Sequence, residues 1–101
     1  MKADLDADFA DPGPDGEPHQ VPIEEFLDLH PFNPRDVESV VEEYVRAAHA
    51  AGFREVRLIH GRGTGVQRGI VQAALERHPL VEWFADDPAS HLGATLAALR
   101  P

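Results

Sequence analysis

The sequence predicts an α/β domain whose elements follow the order strand, helix, strand, helix, strand, strand. A short alternating apolar run over residues 26–30 predicts a half-buried strand, and the apolar positions of residues 34–52 recur at helical spacing. The β-branched and aliphatic run 55–60 ends in a glycine loop, and sequence compatible with a second helix follows it. Two strands connected through a helix are expected to pair in parallel by a right-handed crossover.

Residues 1–20 are expected to form a disordered acidic tail, and residues 21–101 the folded domain. The tail is rich in Asp, Pro, Gly and Ala, with Leu5 and Phe9 as its larger apolar groups. Such a segment cannot bury enough surface to offset the entropy of ordering. An alternative role is that its carboxylates mimic phosphates and screen the glycine loop.

The net charge of −9 is unevenly distributed along the chain. Residues 1–25 carry eight acidic residues and one lysine, which gives −7, whereas residues 26–101 carry ten acidic residues and eight arginines, which gives −2. A nearly neutral domain lacks the basic stripe of a tight nonspecific nucleic-acid binder. Any affinity for nucleic acid is expected to be modest and sensitive to salt.

Cysteine is absent from the sequence, which excludes disulfides and thiolate metal sites. No apolar run reaches the roughly 18 residues needed to cross a bilayer, and the N-terminus is acidic where a signal peptide is basic. We therefore expect a soluble cytoplasmic protein with no membrane partner.

The first strand places two polar groups on one face. Alternation directs Leu27 and Leu29 to the core and Asp28 and His30 to the other side, and Pro31 ends the strand. A carboxylate can orient and stabilise an imidazole at this spacing, as acid–base catalysis requires. Because Asp-x-His also occurs on solvated strand faces, the spacing alone leaves both interpretations open.

The first helix has clear start and stop signals. Asn33 is the expected N-cap, Pro34 the first helical residue and Gly52 the left-handed residue that ends the helix.

The loop after the second strand has the parts of a phosphate-binding cradle. Three glycines, Gly61, Gly63 and Gly65, alternate with Arg62 and Thr64 just before the second helix. Glycines let backbone approach a ligand, and a helix N-terminus presents unpaired N–H groups to an anion. The loop matches neither the P-loop nor the dinucleotide-binding fingerprint, so no nucleotide cofactor is expected. The alternative is that the glycines serve only the turn.

The second helix is predicted over residues 66–77, with Arg68 near its start. Since the carboxyl ends of parallel strands share one edge of a sheet, His30 and the loop 61–65 are expected to converge there.

The last two strands are predicted over residues 80–85 and 93–99, as an antiparallel pair around a turn at residues 86–90. Trp83 and Phe84 are expected on opposite faces, with Trp83 in the core. The alternative for Trp83 is a base-stacking platform on the open face.

Several motifs together carry a resemblance to the small MutS-related (Smr) domain family over residues 26–99. They are Leu27-Asp28-Leu29-His30, the capped helix, Ile59-His60-Gly61-Arg62-Gly63-Thr64-Gly65, His78-Pro79 with Val81 and Phe84, and Gly93-Ala94-Thr95-Leu96.

The resemblance implies a two-layer βαβαββ sandwich with a mixed four-stranded sheet, similar to the C-terminal domain of translation initiation factor three, with both helices on one face. It also implies binding to DNA or RNA and, for many members, endonuclease activity, including cleavage of messenger RNA on stalled ribosomes. DNA repair and RNA quality control are the processes that it suggests.

The resemblance also assigns residues. Asp28 and His30 correspond to the catalytic Leu-Asp-x-His motif, and residues 60–63 to the His-Gly-x-Gly loop. We expect Asp28, His30 and Arg62 to be catalytic. The expected substrate-binding residues are His60, Gly61, Gly63, Thr64, Gly65, Arg68, Gly93 and Thr95.

The sequence departs from the family pattern at two places: Pro31 follows His30 where many members have glycine, and residues 90–93 replace a Gly-Gly-x-Gly segment. The altered final glycines and the acidic balance of the chain favour a rival hypothesis, a noncatalytic module that binds structured or branched nucleic acid, whereas the intact Asp28/His30 pair favours the enzyme. A third hypothesis is a domain that recognises protein through the open sheet face. The oligomeric state is left open.

The metal requirement is also open. Attack by an RNA 2′-hydroxyl needs no metal, whereas metal-assisted hydrolysis would use Mg²⁺ or Mn²⁺. His91 adds a third imidazole to His30 and His60, but solvent exposure is the expected explanation for these three, and no metal ligand is assigned.

Overall fold

A computed structural model describes residues 23–101, so the expected acidic tail lies outside the described residues. The predicted element order is confirmed. The elements are β1 (Phe26–Asp28), α1 (Pro34–Ala50), β2 (Glu55–Ile59), α2 (Val66–Arg77), β3 (Val81–Asp86) and β4 (Ala94–Leu99), with a short 3₁₀ turn at Pro88–Ser90.

The four strands form one mixed sheet in the order β1-β2-β4-β3. β1 and β2 are parallel, and β4 is antiparallel to both β2 and β3. The predicted parallel and antiparallel pairs are therefore both confirmed. Because β4 lies between β2 and β3, its first residue, Ala94, pairs with Ile59 at the end of β2. This pairing places Gly93 next to the glycine loop.

Both helices pack on one face of the sheet and form a single core with it. Strand alternation selects the inward residues, since Val56 and Leu58 of β2 are buried while Glu55 and Arg57 are exposed. The buried residues of the helices and of the adjoining strands are Leu29, Val37, Val41, Tyr44, Val45, Ala48, Val56, Leu58, Val71, Ala74, Leu75, Val81, Ala97 and Leu99. The opposite face of the sheet carries no helix among residues 23–101.

The boundaries of α1 follow the predicted caps. The Asn33 side chain accepts a hydrogen bond from the Arg35 N–H at 3.2 Å, and Pro34 is the first helical residue. Gly52 adopts φ +92°, the left-handed conformation that ends the helix. β1 is shorter than predicted, because a turn in which the Phe32 N–H donates to the Leu29 carbonyl begins there.

The expected burial of Trp83 is wrong. Trp83 is 53% exposed on the open face, whereas Phe84 packs against the core. The cause is a register shift in β3 between Val81 and Trp83, which inserts one residue into the strand. A bulge reverses the alternation beyond it, so Val81 and Phe84 share the inner face.

No helix within residues 23–101 is long and apolar enough to cross a membrane.

Candidate active site at the ends of β1 and β2

A carboxylate and an imidazole form a close pair at the end of β1. Asp28 Oδ1 lies 2.6 Å from His30 Nδ1 and also accepts a hydrogen bond from the His30 backbone N–H at 3.0 Å. The backbone N–H bond, followed by the side-chain bond, lowers the pKa of Asp28 below its ordinary value. Since an ionised carboxylate can only accept, His30 Nδ1 is the donor in this pair. His30 Nε2 is then left for a substrate.

The glycine loop comes into direct contact with that free nitrogen. A Cβ added to Gly61 would lie 2.8 Å from His30 Nε2, so a side chain there would displace the imidazole from its present position. Gly61 also adopts φ +82°, a conformation that glycine accepts without strain. The structure thus brings together His30, from the end of β1, and Gly61, from the end of β2.

An open cleft of about 480 Å³ begins at this contact. Its volume lies in the range of roughly 300–1,000 Å³ that is typical of small-molecule sites, so it exceeds what one phosphate needs. The lining residues are His30, Pro34 and the continuous run from His60 to Arg68. The loop residues predicted to bind substrate, Gly63, Thr64 and Gly65 among them, therefore line one cleft together with His30.

Several backbone N–H groups of the cleft residues have no acceptor within residues 23–101. Within residues 23–101, none of the backbone N–H groups from Arg62 to Arg68 donates to a backbone or side-chain acceptor. Gly65 stands at the N-cap of α2 with φ +89° and provides no side-chain cap. Free N–H groups at a helix N-terminus attract anions through hydrogen bonding and through the helix dipole. The loop can therefore hold a phosphate oxygen.

Arg62 lies on the rim of the cleft beside the start of β4. A Cβ on Gly93 would lie 3.0 Å from the Ser90 carbonyl oxygen and 3.4 Å from Arg62 Cγ, so the turn restricts the space at Gly93 and the arginine stem lies beside it. The Gly93 carbonyl accepts from the N–H groups of both His60 and Gly61, at 3.0 and 2.9 Å. Within residues 23–101 no carboxylate forms an ion pair with Arg62. Within the described residues, its guanidinium can therefore pair with an anion.

Arg68 is placed differently. Its Nε and NH2 groups each donate to Asp86 at 2.7 Å in a bidentate pair. The Arg68 side chain lowers the pKa of Asp86, and the same hydrogen bonds raise the pKa of Arg68. Although Arg68 lines the cleft, its guanidinium is paired with the carboxylate of Asp86 in β3.

His60 and Thr95 lie behind the loop, in a buried polar chain. His60 is 6% exposed and Thr95 is fully buried. His60 Nε2 lies 2.9 Å from Thr95 Oγ1, and His60 Nδ1 lies 3.0 Å from the Gly61 carbonyl oxygen. Although His60 is one of the residues that line the cleft, both of its ring nitrogens are engaged by protein atoms.

Gln72 is the residue that sequence reasoning missed. Its Nε2 donates to both Thr95 Oγ1 and Asp86 Oδ1 at 3.0 Å, and so it joins His60 to the Arg68–Asp86 pair. The available signal was its position four residues after Arg68, which places both side chains on one face of α2.

No group of three or more His, Asp or Glu side chains suited to a metal occurs within residues 23–101. His30, His60 and His91 are accordingly not assembled into a metal site in the described part of the chain. His91 is exposed and adopts φ +53° in the β3–β4 connection. Mg²⁺ usually binds through one or two carboxylates together with substrate phosphates. The described residues therefore do not form a preassembled metal-binding site.

Comparison with known proteins identifies one family. The family model described as the Smr domain matches residues 27–100. Endonuclease MutS2 of Caldicellulosiruptor saccharolyticus is 42% identical over 59% of this chain and 8% of its own length. Endonuclease MutS2 of Thermus thermophilus is 38% identical over 74% of this chain and 10% of its own length. The chain therefore spans about a tenth of the length of these relatives.

Two solved structures share the fold. The Smr domain of Thermus thermophilus MutS2 superposes with a TM-score of 0.73 at 36% identity, covering 77% of this chain and all of that one. YdaL, a stand-alone small MutS-related protein from Escherichia coli, gives a TM-score of 0.71 at 26% identity, covering 79% of this chain and 67% of that one.

Proposed function

Because this chain belongs to the Smr domain family, we propose that it binds nucleic acid and cleaves phosphodiester bonds as an endonuclease. The substrate is RNA or DNA, and the setting is cytoplasmic RNA quality control, including ribosome-bound messenger RNA, or DNA repair. The MutS2 relatives carry the name endonuclease, which supports the activity proposed for this domain.

One observation carries the proposal, namely the contact between the acid–base pair and the anion loop. His30 Nε2, oriented through Nδ1 by Asp28, lies against the backbone of Gly61. The unused N–H groups that begin at Arg62 belong to the same cleft. A single phosphodiester can therefore reach a proton acceptor and anion donors at once, which is the combination that phosphoryl transfer requires.

On RNA, the substrate supplies its own nucleophile. His30 Nε2 takes the proton from the 2′-hydroxyl, the 2′-oxygen forms a bond to phosphorus, and the bond to the 5′-oxygen breaks. The departing 5′-oxygen takes a proton from water, the hydroxide so formed takes the proton from the His30 imidazolium, and a 2′,3′-cyclic phosphate remains. Asp28 stabilises the imidazolium, while Arg62 and the loop N–H groups stabilise the added charge on the phosphoryl oxygens. On DNA the nucleophile is water.

Cleavage of labelled RNA and DNA by the wild type and by His30→Gln tests the proposal. Loss of the acid–base group is expected to lower kcat by about 10²–10⁴-fold, with little change in binding. His49→Gln is the matched control, because His49 lies in the last turn of α1 and does not line the cleft. Equal activity of the wild type and His30→Gln would identify a contaminating nuclease and refute the proposal.

The chemistry of the product ends separates the two routes. A 2′,3′-cyclic phosphate formed with EDTA present supports attack by the 2′-hydroxyl. Products bearing a 3′-hydroxyl, formed only with Mg²⁺ or Mn²⁺, support metal-assisted hydrolysis.

A noncatalytic nucleic-acid-binding module is the second candidate function. The observation that favours it is the segment before β4, where Ser90, His91 and Leu92 precede Gly93 in place of the glycine-rich segment of the family pattern. Binding that survives in both the wild type and His30→Gln, without cleavage by either, would support it.

A further inference from the structure

We infer that Thr95 and Gln72 are positioning residues that act through His60 to hold the Gly61–Arg62 peptide with its N–H directed into the cleft. The inference deepens the proposed function and rests on it for the identity of the anion. The residues proposed as catalytic touch the substrate, whereas His60 contacts the loop, Thr95 contacts His60, and Gln72 contacts Thr95 and Asp86.

The hydrogen-bond partners determine which way each proton points. Gln72 Nε2 has two hydrogens, and both are used, one toward Asp86 Oδ1 and one toward Thr95 Oγ1. Thr95 Oγ1 therefore accepts from Gln72 and is free to donate its own hydrogen to His60 Nε2 at 2.9 Å. A His60 nitrogen that accepts carries no hydrogen.

The second contact of His60 places a hydrogen on Nδ1, because the Gly61 carbonyl oxygen, 3.0 Å away, can only accept. An imidazole with its one hydrogen on Nδ1 accepts at Nε2, so Thr95 Oγ1 is the donor to that nitrogen. Every donor in the chain Gln72, Thr95, His60 then meets an acceptor. The Arg68–Asp86 ion pair completes the chain, since the Asp86 carboxylate accepts from both Arg68 and Gln72.

The fixed carbonyl sets the direction of the next N–H. The Gly61–Arg62 peptide is trans, and in a trans peptide the C=O and N–H groups point in opposite directions. The carbonyl oxygen of Gly61 points toward buried His60, behind the loop. The Arg62 N–H therefore points away from the His60 ring, and Arg62 is one of the residues that line the cleft. It is also one of the backbone donors left unused within residues 23–101.

Direct binding of substrate by His60 or Thr95 does not fit the same geometry. Thr95 is fully buried and His60 is 6% exposed, so their polar atoms are not open to a ligand. Their effect on a substrate has to pass through the loop.

NMR of the full chain, with inorganic phosphate as the probe, tests the inference. The key variant is Thr95→Val, which keeps the shape of the side chain and removes the hydroxyl. Thr95→Ser retains the hydroxyl and is the rescue variant. Glu76→Gln, an exposed substitution on α2, is the control for changes in that helix. The two readouts are the ¹⁵N pattern of the His60 ring and the phosphate dependence of the Arg62 amide shift.

The wild type, Thr95→Ser and Glu76→Gln are expected to carry the His60 proton on Nδ1 and to show saturable phosphate shifts at the Arg62 amide. In Thr95→Val the ring is expected to populate both tautomers, and the dissociation constant for phosphate to rise about three- to tenfold, as loss of one hydrogen bond implies. If Thr95→Val does not fold, Gln72→Met, at a half-buried position, removes the donor that orients Thr95.

Two results would overturn the inference: a His60 proton on Nε2 in the wild type, or wild-type phosphate affinity at the Arg62 amide in a folded Thr95→Val or Gln72→Met. Neither readout depends on cleavage. Absence of nuclease activity would refute the proposed function while these measurements still decide the inference.

Discussion

At the scale of single residues, the contact between Gly61 and His30 places the acid–base group on the anion loop. The missing side chain at residue 61 is required twice, once by its left-handed conformation and once by the 2.8 Å separation that a Cβ would have from His30 Nε2. A chain with any side chain at this position would have to move the imidazole or the loop.

Gly61→Ala is expected to destabilise the fold by about 1–2 kcal/mol through backbone strain and, in addition, to abolish most cleavage by displacing His30. Gly52→Ala is the matched control, because Gly52 also has a positive φ of +92° but an added Cβ would meet nothing within 4 Å. Urea unfolding should show similar losses of stability for both variants. Equal activity of the two folded variants would show that the His30 contact is unimportant.

The hydrogen-bond partners of the predicted site residues were harder to predict than their positions in the fold. The sequence placed Arg68, His60 and Thr95 among the substrate-binding residues, and the structure engages all three in hydrogen bonds within the protein. Arg68 meets Asp86 and His60 meets Thr95 across long stretches of sequence. Such partners depend on the strand order, in which β4 inserts between β2 and β3, and no local pattern encodes that order.

At the scale of elements, the β3–β4 connection carries backbone strain beside the site. His91 and Leu92 both adopt positive φ, at 53° and 71°, although neither is glycine. The left-handed region costs roughly 1–2 kcal/mol for a residue with a Cβ. The connection immediately precedes Gly93, whose carbonyl anchors the glycine loop.

His91→Gly is expected to stabilise the protein by about 0.5–1 kcal/mol, because relief of strain exceeds the added entropy of the unfolded chain. Little burial is lost, since the His91 side chain is exposed. Calorimetry should show Tm higher by about 2–6 °C. Ala89→Gly in the same connection is the control and should lower Tm, because Ala89 lacks a positive φ. A lower Tm for His91→Gly would contradict the assignment of strain.

The approach to β1 is tied to α1 by Tyr44, whose hydroxyl donates to the Glu24 carbonyl at 2.5 Å. Burial, with Glu25 and Glu24 nearby, raises the pKa of Tyr44 from 10.0 to about 12. Folding thus favours the neutral phenol, whose contribution is fully present below pH 10 and is lost as pH rises toward the folded-state pKa of about 12.

The free energy of unfolding is therefore expected to fall between pH 10 and about 12 by about 1–2 kcal/mol more in the wild type than in Tyr44→Phe. Urea titrations across this range measure the difference. Parallel pH profiles for the two proteins would contradict the role given to Tyr44.

The types of the elements and the helix caps could be predicted from local sequence. The side chains of β3 that point to the core could not. Asn33, Pro34 and Gly52 act at the two ends of α1 through short-range chemistry, so they were predictable. Trp83 faces outward because a bulge shifts the alternation of inward and outward side chains in β3 by one residue. The position of the bulge depends on the pairing of β3 with β4.

At the scale of the whole molecule, charge limits how nucleic acid can be held. The chain has a net charge of −9. Within residues 23–101, Arg46, Arg57, Arg68 and Arg77 form ion pairs with carboxylates. The cleft therefore suits one or two phosphates rather than a long stretch of backbone.

Binding of a short oligonucleotide is expected to show a slope of log K against log salt of about −1 to −2, since each neutralised phosphate contributes about −0.7 to −0.9. Fluorescence anisotropy over a salt series measures it. A slope steeper than about −4 would reveal a wider basic surface and contradict the view of a small site.

The global arrangement was predictable where it follows from rules of chain connection. A strand, helix, strand unit predicts a parallel pair, and that pair brings His30 and the loop 61–65 to one edge. The order of all four strands also depends on packing between distant segments, and the family resemblance, rather than periodicity, supplied the mixed sheet.

The most direct test of the central claim is a crystal structure of this protein with a non-cleavable oligonucleotide. We expect one phosphate to lie within hydrogen-bond distance of both His30 Nε2 and the backbone N–H groups that begin at Arg62. A nucleic acid bound on the open sheet face around Trp83, with the glycine loop unoccupied, would contradict the claim.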